Sequence, residues 1–412
     1  MRQAITQTPG TTSCSVRFPT RRASCPSSAM PAPARRFPFT SLLSSRTLCV
    51  DSRKGCFPLM SRVKGPVVLC LLPFLLSLCS CATVVAGKLQ YPAVAGDPLS
   101  HYALTGDILP VLDPSIIRQD STYYAFSTDV VGVPQSGSLP IRCSPDKTTW
   151  TTCGYVFPNG MPSWIQKRLP GVLGLWAPDI SWFNGEYHLY YNASILNTQT
   201  TLIGLATNTT LDPNDPAYHW VDRGLVLQSR AGDDFNALDP NIFLDADGAV
   251  WLTYGSYWSG IKQRQIDPST GMLLAANPTR YDLATRPDSP DDAIEGASLV
   301  RHGAFYYLFV SVDHCCKATV AEDNYKQAVG RSTSAHGPFL DEAGTPMLQG
   351  GGSVLLQGNG SWNAPGGGTA YLDDSNGDSL LIFHAQNLSK GGTPFAWVKT
   401  LQWTNDWPVL AD

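Results

Sequence analysis

A motif that returns five times constrains this chain more than any other feature of it. Each copy has a small or acidic residue at or next to its start, runs through a short apolar stretch and a polar turn, and closes on a stretch rich in aromatics. The copies are LDPSIIRQDSTYYAFSTD from Leu112, APDISWFNGEYHLYYNAS from Ala177, LDPNIFLDADGAVWLTYGSY from Leu238, EGASLVRHGAFYYLFVSVD from Glu295 and, most degenerate, APGGGTAYLDDSNGDSLLIFHAQ from Ala364. The acidic residues near the first four starts, Asp113, Asp179, Asp239 and Glu295, are separated by 66, 60 and 56 residues. Val, Ile, Tyr, Phe and Trp in short runs, with Gly, Asn and Asp between them, are strand and turn signals, and Phe-Asn-Gly-Glu, Asp-Ala-Asp-Gly and Arg-His-Gly-Ala suit tight hairpins. The period leaves room for two more strands per copy. Five radial sheets of about four strands make an all-β, five-bladed β-propeller. A β-sandwich gives no reason for a motif at this period, and a β-helix needs a much shorter one. In a propeller the first strand of each blade lines the central channel, so residues near the blade starts converge at one mouth.

Charge divides the chain in two. Residues 1–86 carry 11 Lys/Arg and a single acidic residue, Asp51, whereas the rest carries 18 Lys/Arg and 32 Asp/Glu. An acidic body argues against a nucleic-acid partner, which needs clustered Lys and Arg to displace counterions, and suits a neutral polymer. Gly65 to Ala86 is uncharged and apolar, follows Arg62 and Lys64, and ends among small residues. That is the pattern of a secretory signal peptide, here 60–86 starting at Met60, with an uncleaved signal anchor as the rival reading. Residues 1–59 are rich in Ser, Pro and Arg without apolar periodicity, and read as a disordered upstream extension. The expectation is a secreted, monomeric protein that leaves the membrane after cleavage, with the propeller over 87–412.

Seven of the 11 cysteines lie in the first 81 residues. In the body, Cys143 and Cys153 flank a short polar loop and are expected to pair, leaving the adjacent Cys315 and Cys316 as a vicinal disulfide or two free thiols. No second ligand cluster with zinc spacing accompanies them. Sequons at Asn192, Asn208, Asn359 and Asn387 agree with an exported route.

Breaking a glycosidic bond by the usual route takes two carboxyl groups, one protonated and one ionised, and a neighbouring anion raises the pKa of the acid. Asp113, Asp239 and Glu295, from three blade starts, meet that need. The plainer reading is that such Asp residues cap turns; recurrence near the blade starts, beside Trp and Tyr, favours a site. Asp179 is assigned to holding backbone at a blade start. The glycine runs at Gly350 and Gly366 lack the Lys-Ser/Thr and following helix of a phosphate loop.

Between about Asp107 and Pro408 the sequence resembles glycoside hydrolase family 43, in its arabinanase-like fungal branch. The resemblance rests on Asp113-Pro-Ser-Ile-Ile, Trp176-Ala-Pro-Asp-Ile, Asn236-Ala-Leu-Asp239-Pro, Tyr254-Gly-Ser-Tyr-Trp258-Ser-Gly-Ile, Ile294-Glu295-Gly, the Cys315-Cys316 pair, Gly330-Arg-Ser, Gly337-Pro-Phe, the Gly350 run and Trp407-Pro-Val. It implies a five-bladed, inverting hydrolase of α-1,5-linked L-arabinan, a pectin side chain. Asp113 would be the general base, Glu295 the general acid, and Asp239 the group that tunes and orients the acid. Inversion requires carboxyl groups about 6.5–9.5 Å apart, to admit the water. Trp176, Asn236, Ser256, Tyr257, Trp258 and His314 are the candidate substrate contacts. Two positions depart from the family pattern: Leu112 stands where many members have His before the first Asp, and Gly367 where many have a His that helps hold a channel ion such as calcium. No cofactor and no metal ligand is assigned. Alternatives on the same fold are an exo-acting β-xylosidase or α-L-arabinofuranosidase, and a non-catalytic carbohydrate-binding propeller. The stop soon after Trp407-Pro-Val, without a further β-sandwich, favours the arabinanase-like form over the longer xylosidases.

Overall fold

A computed structural model describes residues 97–411, apart from 134 and 318. The expected extension and signal segment lie outside the described residues. The strands fall into five sheets, each built from one continuous stretch of chain. Blade I is Ser115–Gln119, Thr122–Phe126, Ser138–Ser144 and Thr149–Phe157, with Thr105–Gly106 added in parallel at its outer edge. Blade II is Trp176–Phe183, Glu186–Ser194, Thr201–Asn208 and Val221–Ser229. Blade III is Asn241–Leu244, Val250–Tyr254 and Ile261–Asp267, with Met272–Leu273 and Arg280–Ala284 both pairing with the third strand. Blade IV is Ile294–His302, Phe305–Val312, Lys326–Ser332 and Ser353–Leu356, and blade V is Trp362–Asp373, Asp378–Asn387, Thr393–Thr404 and Trp407–Ala411. Inner strands meet in the order I–II–III–IV–V–I, which closes the ring of the expected five-bladed propeller.

The local chemistry explains the hairpins. Phe183 pairs with Glu186 across Asn184 and Gly185, both at positive φ (51° and 80°). That is the mirror-image turn whose twist suits a hairpin, and the Asn-Gly pair tolerates it. Apolar faces then meet between blades. Leu189, Tyr191, Leu202 and Ala206 of blade II pack with Phe126, Leu139 and Ile141 of blade I. Tyr190, Leu205, Leu252 and Tyr254 fill the space between blades II and III. Phe243, Ile261, Leu308 and Val310 join blades III and IV, and Phe309, Leu381, Phe383, Trp397 and Trp150 join blade V to its two neighbours.

The blade starts share a backbone device that shifts the register of the repeat. Asp113, Ala177, Asp239 and Ala364 take left-handed φ values of 46°, 37°, 54° and 48°, each just before a proline, and Gly296 takes 57°. The equivalent residue in blade II is therefore Ala177, not Asp179, and in blade IV it is Gly296, not Glu295. A strand alternates its faces with period two, so sliding the blade II copy by two residues leaves its pattern unchanged. Asp179 does hold backbone: its carboxylate accepts the Ile242 N–H at 2.8 Å and the Asn241 amide at 3.0 Å, tying blade II to blade III.

The expected Cys143–Cys153 pair is present, and of the two readings left for Cys315 and Cys316 the structure shows the vicinal disulfide. Cys143–Cys153 fastens the outer strands of blade I, and Cys315–Cys316 is a closed vicinal disulfide in the loop between the second and third strands of blade IV. The sequons divide. Asn192 and Asn208 are 0% and 2% exposed within the strands of blade II, whereas Asn359 is half-buried in the loop before blade V and Asn387 is half-buried at the end of that blade's second strand. The segment before blade I straps the ring: Ala396 N–H donates to Ile108 O, and Val111 N–H to Pro394 O, both in blade V. Buried Arg142 of blade I holds the same strap through the carbonyls of Asp107 and Pro110.

Candidate active site

The five blade starts enclose a channel cavity of about 30 Å³, lined by Asp113, Ala177, Pro178, Asp239, Pro240, Gly296, Ala297, Gly367, Gly368 and Thr369. That is room for a water molecule or two. Asp113 accepts Thr128 Oγ1 on Oδ2 at 2.8 Å, and the Thr128 hydroxyl in turn accepts the Ala177 N–H at 2.8 Å. Asp239 Oδ2 accepts the Gly296 N–H at 3.0 Å. Glu295, the residue before Gly296, is gripped on both oxygens, by Ser256 Oγ at 2.7 Å and by the Tyr325 hydroxyl at 3.0 Å.

Burial and mutual charge set the proton affinities. Burial lifts Asp113 to about 6, opposed by the Thr128 hydrogen bond. Its side chain keeps 31% of its surface open to the channel, so solvent screens this shift more than protein burial alone implies. Asp239 is raised well above the carboxylate range, first by burial and then by the charges of Glu295 and Asp113. Glu295 is raised by burial and by Asp113, against the hydrogen bonds of Ser256 and Tyr325. Three such groups do not all ionise together near neutrality, so the cluster holds a proton there.

The fifth blade shapes the cavity through its glycines. A Cβ on Gly366 would meet the Tyr325 ring at 2.3 Å, one on Gly367 Asp113 Oδ1 at 2.4 Å and the His384 ring at 2.9 Å, and one on Gly368 Gln327 Oε1 at 2.6 Å. The space three side chains would have taken is filled from neighbouring strands. His384, fully buried, accepts the Asp113 N–H on Nδ1 at 3.2 Å, while its Nε2 lies 3.6 Å from Cys315 Sγ. Burial lowers this ring to about 4, so it is neutral at ordinary pH, and the acceptor role of Nδ1 puts its proton on Nε2. An imidazole thus stands beside Gly367, supplied by the next strand. With both nitrogens engaged it offers no free lone pair to an ion, and no group of three or more His, Cys, Asp or Glu among the described residues is arranged to hold a metal.

The other sequence candidates separate. Trp176 is half-buried at the start of the inner strand of blade II, next to the cavity residue Ala177. Tyr257 and Trp258 occupy consecutive left-handed positions (φ 55° and 51°), with Trp258 40% exposed. The Tyr257 ring faces His314 at 6.1 Å, and His314 Nε2 pairs with Asp291 Oδ2 at 2.9 Å. Two candidates are buried and engaged within the protein. Ser256 is 4% exposed and gives its hydroxyl to Glu295, so it positions that carboxyl group. Asn236 is 2% exposed and its carbonyl oxygen accepts Thr201 and Ser229, leaving at most its amide nitrogen for a ligand. Thr128, Tyr325 and His384 are site residues that sequence reasoning missed. The signal for two of them was the glycine run, which vacates space that Tyr325 and His384 occupy.

A propeller whose channel gathers three carboxyl groups with raised proton affinity defines the glycoside hydrolase class of site. Residues 108–408 match the model of glycosyl hydrolases family 43, and the chain belongs to that family. It is 36% identical over 330 residues to the extracellular endo-α-(1→5)-L-arabinanase 1 of Bacillus subtilis, covering 80% of this chain and 95% of that one. It is 37% identical over 309 residues to a probable arabinan endo-1,5-α-L-arabinosidase A of Aspergillus clavatus, covering 72% and 90%. Among solved structures, an exo-1,5-α-L-arabinanase from a bovine ruminal metagenomic library superposes with a TM-score of 0.68 at 35% identity, over 76% of this chain and all of that one.

Proposed function

We propose that this protein hydrolyses α-1,5-linked L-arabinan with inversion, as a secreted endo-arabinanase. The observation that supports the reading is the placement of Asp113 and Asp239 in one channel cavity, with Glu295 beside them through the Gly296 N–H that Asp239 accepts. Arabinan comes from the named relatives. In this scheme Asp113 removes a proton from a water in the channel cavity, and the water oxygen attacks the anomeric carbon. Glu295 gives its proton to the departing glycosidic oxygen, and Asp239 shares with it the proton that the carboxyl cluster retains and aims the acid through the Gly296 backbone. Trp176, Tyr257, Trp258 and His314 border the substrate. The reaction calls for no cofactor, and the protein acts as a monomer. Export rests on the basic leader and apolar run and on relatives named extracellular.

The exo reading has its own support, since two relatives carry exo in their names. Incubation with linear α-1,5-arabinan, with products sized over time, separates the two. Short oligosaccharides early establish endo action; monomer or a single short product from the chain end establishes exo action. The first-formed anomer, read by proton NMR, must be inverted. No release from arabinan, xylan or the aryl arabinoside and xyloside sinks the hydrolase assignment and favours a binding propeller.

A further inference from the structure

Three groups stand in line from the blade IV loop to Asp113. Cys315 Sγ lies 3.6 Å from His384 Nε2, and Nδ1 of the same ring accepts the Asp113 N–H at 3.2 Å and stands 3.6 Å from Asp113 Oδ1. The ring is fully buried, and Gly367 packs against both it and Asp113, so it has little room to turn. Cys316 at the far end of the disulfide is exposed.

A neutral imidazole carries one proton, and its neighbours decide where. A backbone N–H faces Nδ1, so Nδ1 accepts and Nε2 carries the proton toward sulfur. A disulfide sulfur has no proton to give, so the closed Cys315–Cys316 bond is compatible with that tautomer. A dithiol reductant supplies two electrons and two protons, becomes a disulfide itself, and leaves two thiols. Cys315 then bears an S–H that can donate to Nε2. The ring proton moves to Nδ1, where it opposes the Asp113 N–H and finds its acceptor in Asp113 Oδ1.

We infer that the Cys315–Cys316 disulfide and His384 form a redox-sensitive positioning set for Asp113, in which the closed bond leaves the imidazole tautomer to the Asp113 N–H and the open dithiol competes for it through Nε2, which changes the aim and proton affinity of the base. This rests on the reading of Asp113 as general base; Cys315 and His384 act through it and are positioning residues. The other groups around the pair are Glu295, Asp239 and Tyr325 beside Asp113, and Asp323 and Tyr325 beside His384. Reduction alters none of them chemically.

The test uses the full chain carrying Cys143→Ser and Cys153→Ser, which removes the other disulfide among the described residues. The kcat/KM profile on linear arabinan is measured oxidised, reduced with dithiothreitol, and reoxidised. The acid limb is expected to move down by about one pH unit on reduction, because an N–H to the carboxylate favours its ionised form. KM stays put, and the shift reverses. His384→Gln keeps an acceptor for the Asp113 N–H but has no tautomer to switch, so its acid limb does not respond to reduction. Nitrogen-15 NMR of the His384 ring reads the tautomer without any assay: proton on Nε2 when oxidised, on Nδ1 when reduced. An acid limb that stays fixed while alkylation mapping finds both thiols free, or a ring that keeps its proton on Nε2, overturns the inference. An oxidised protein with no hydrolase activity instead overturns the proposed function, and the NMR result then decides the tautomer claim alone.

Discussion

Thr128 donates its hydroxyl to Oδ2 of Asp113 at 2.8 Å from the loop that follows the second strand of blade I. The same hydroxyl accepts the Ala177 N–H, so one side chain fixes the carboxylate and ties blade I to blade II. The bond favours the ionised carboxylate and works against burial, which lifts Asp113 to about 6. A base must be ionised to act, so activity should rise with pH through this value, as an apparent constant of the coupled cluster.

Thr128→Val keeps the shape and removes the donor. The acid limb of kcat/KM should move up by about one pH unit, the equivalent of ~1.4 kcal/mol, with about ten-fold loss on the acid side and little change on the alkaline side. A pH–rate profile checks this. Equal loss at every pH would mean that Thr128 only supports the fold.

Glu295→Gln should lower turnover on arabinan by about 10²–10⁴-fold while oligosaccharide binding, read by calorimetry, survives. Aryl arabinosides whose leaving group needs no protonation should lose much less. Asp239→Asn removes the carboxyl group that shares the cluster's proton with Glu295, so the alkaline limb should move to lower pH. Equal losses on both classes of substrate would argue against Glu295 as the acid.

Gly367 and Gly303 share a left-handed backbone, at φ 57° and 58°, but differ in surroundings. Nothing lies within 4 Å of a Cβ at Gly303, whereas one at Gly367 meets Asp113 and His384. Gly303→Ala should cost about 1 kcal/mol in stability and leave kcat/KM intact. Gly367→Ala should cost about 1–3 kcal/mol and lower kcat/KM at least ten-fold. Thermal melts and kinetics on the two variants test the contrast.

Glycopeptide mapping of protein from a eukaryotic secretory host should find no glycan on Asn192 or Asn208, which are buried in blade II. Asn359 and Asn387 are the sites that a folded chain can carry modified. Glycan on Asn192 in active protein would contradict the packing of that blade.

The repeat made the propeller legible because each blade must present the same inner strand to a shared channel, and three of its acids, Asp113, Asp239 and Glu295, do meet there. Asp179 was legible as a holder of backbone, though not its two-residue offset, since alternation hides a shift of two. Tyr325 and His384 were not legible. Tyr325 follows an irregular loop with no periodic pattern, and a His within Leu-Leu-Ile-Phe-His-Ala reads as ordinary strand interior. The bond from Ser256 to Glu295 was not legible either, because a serine beside two aromatics suits a sugar hydroxyl as well as it suits Glu295. Only the partner across the channel distinguishes those roles.

Blades I and V share no strand, and the ring is shut by side chains and by the strap over Ile108 to Val111. Asp113 follows directly on that strap and leans on His384 and Gly367 across the seam. The two ends of the described chain thus guard the proposed base between them. Any loosening at this join, by heat, mild denaturant or trimming of the strap, should scatter the base while the other four junctions still hold. Loss of hydrolysis is then an early alarm for a ring beginning to part, audible before the sheets themselves melt.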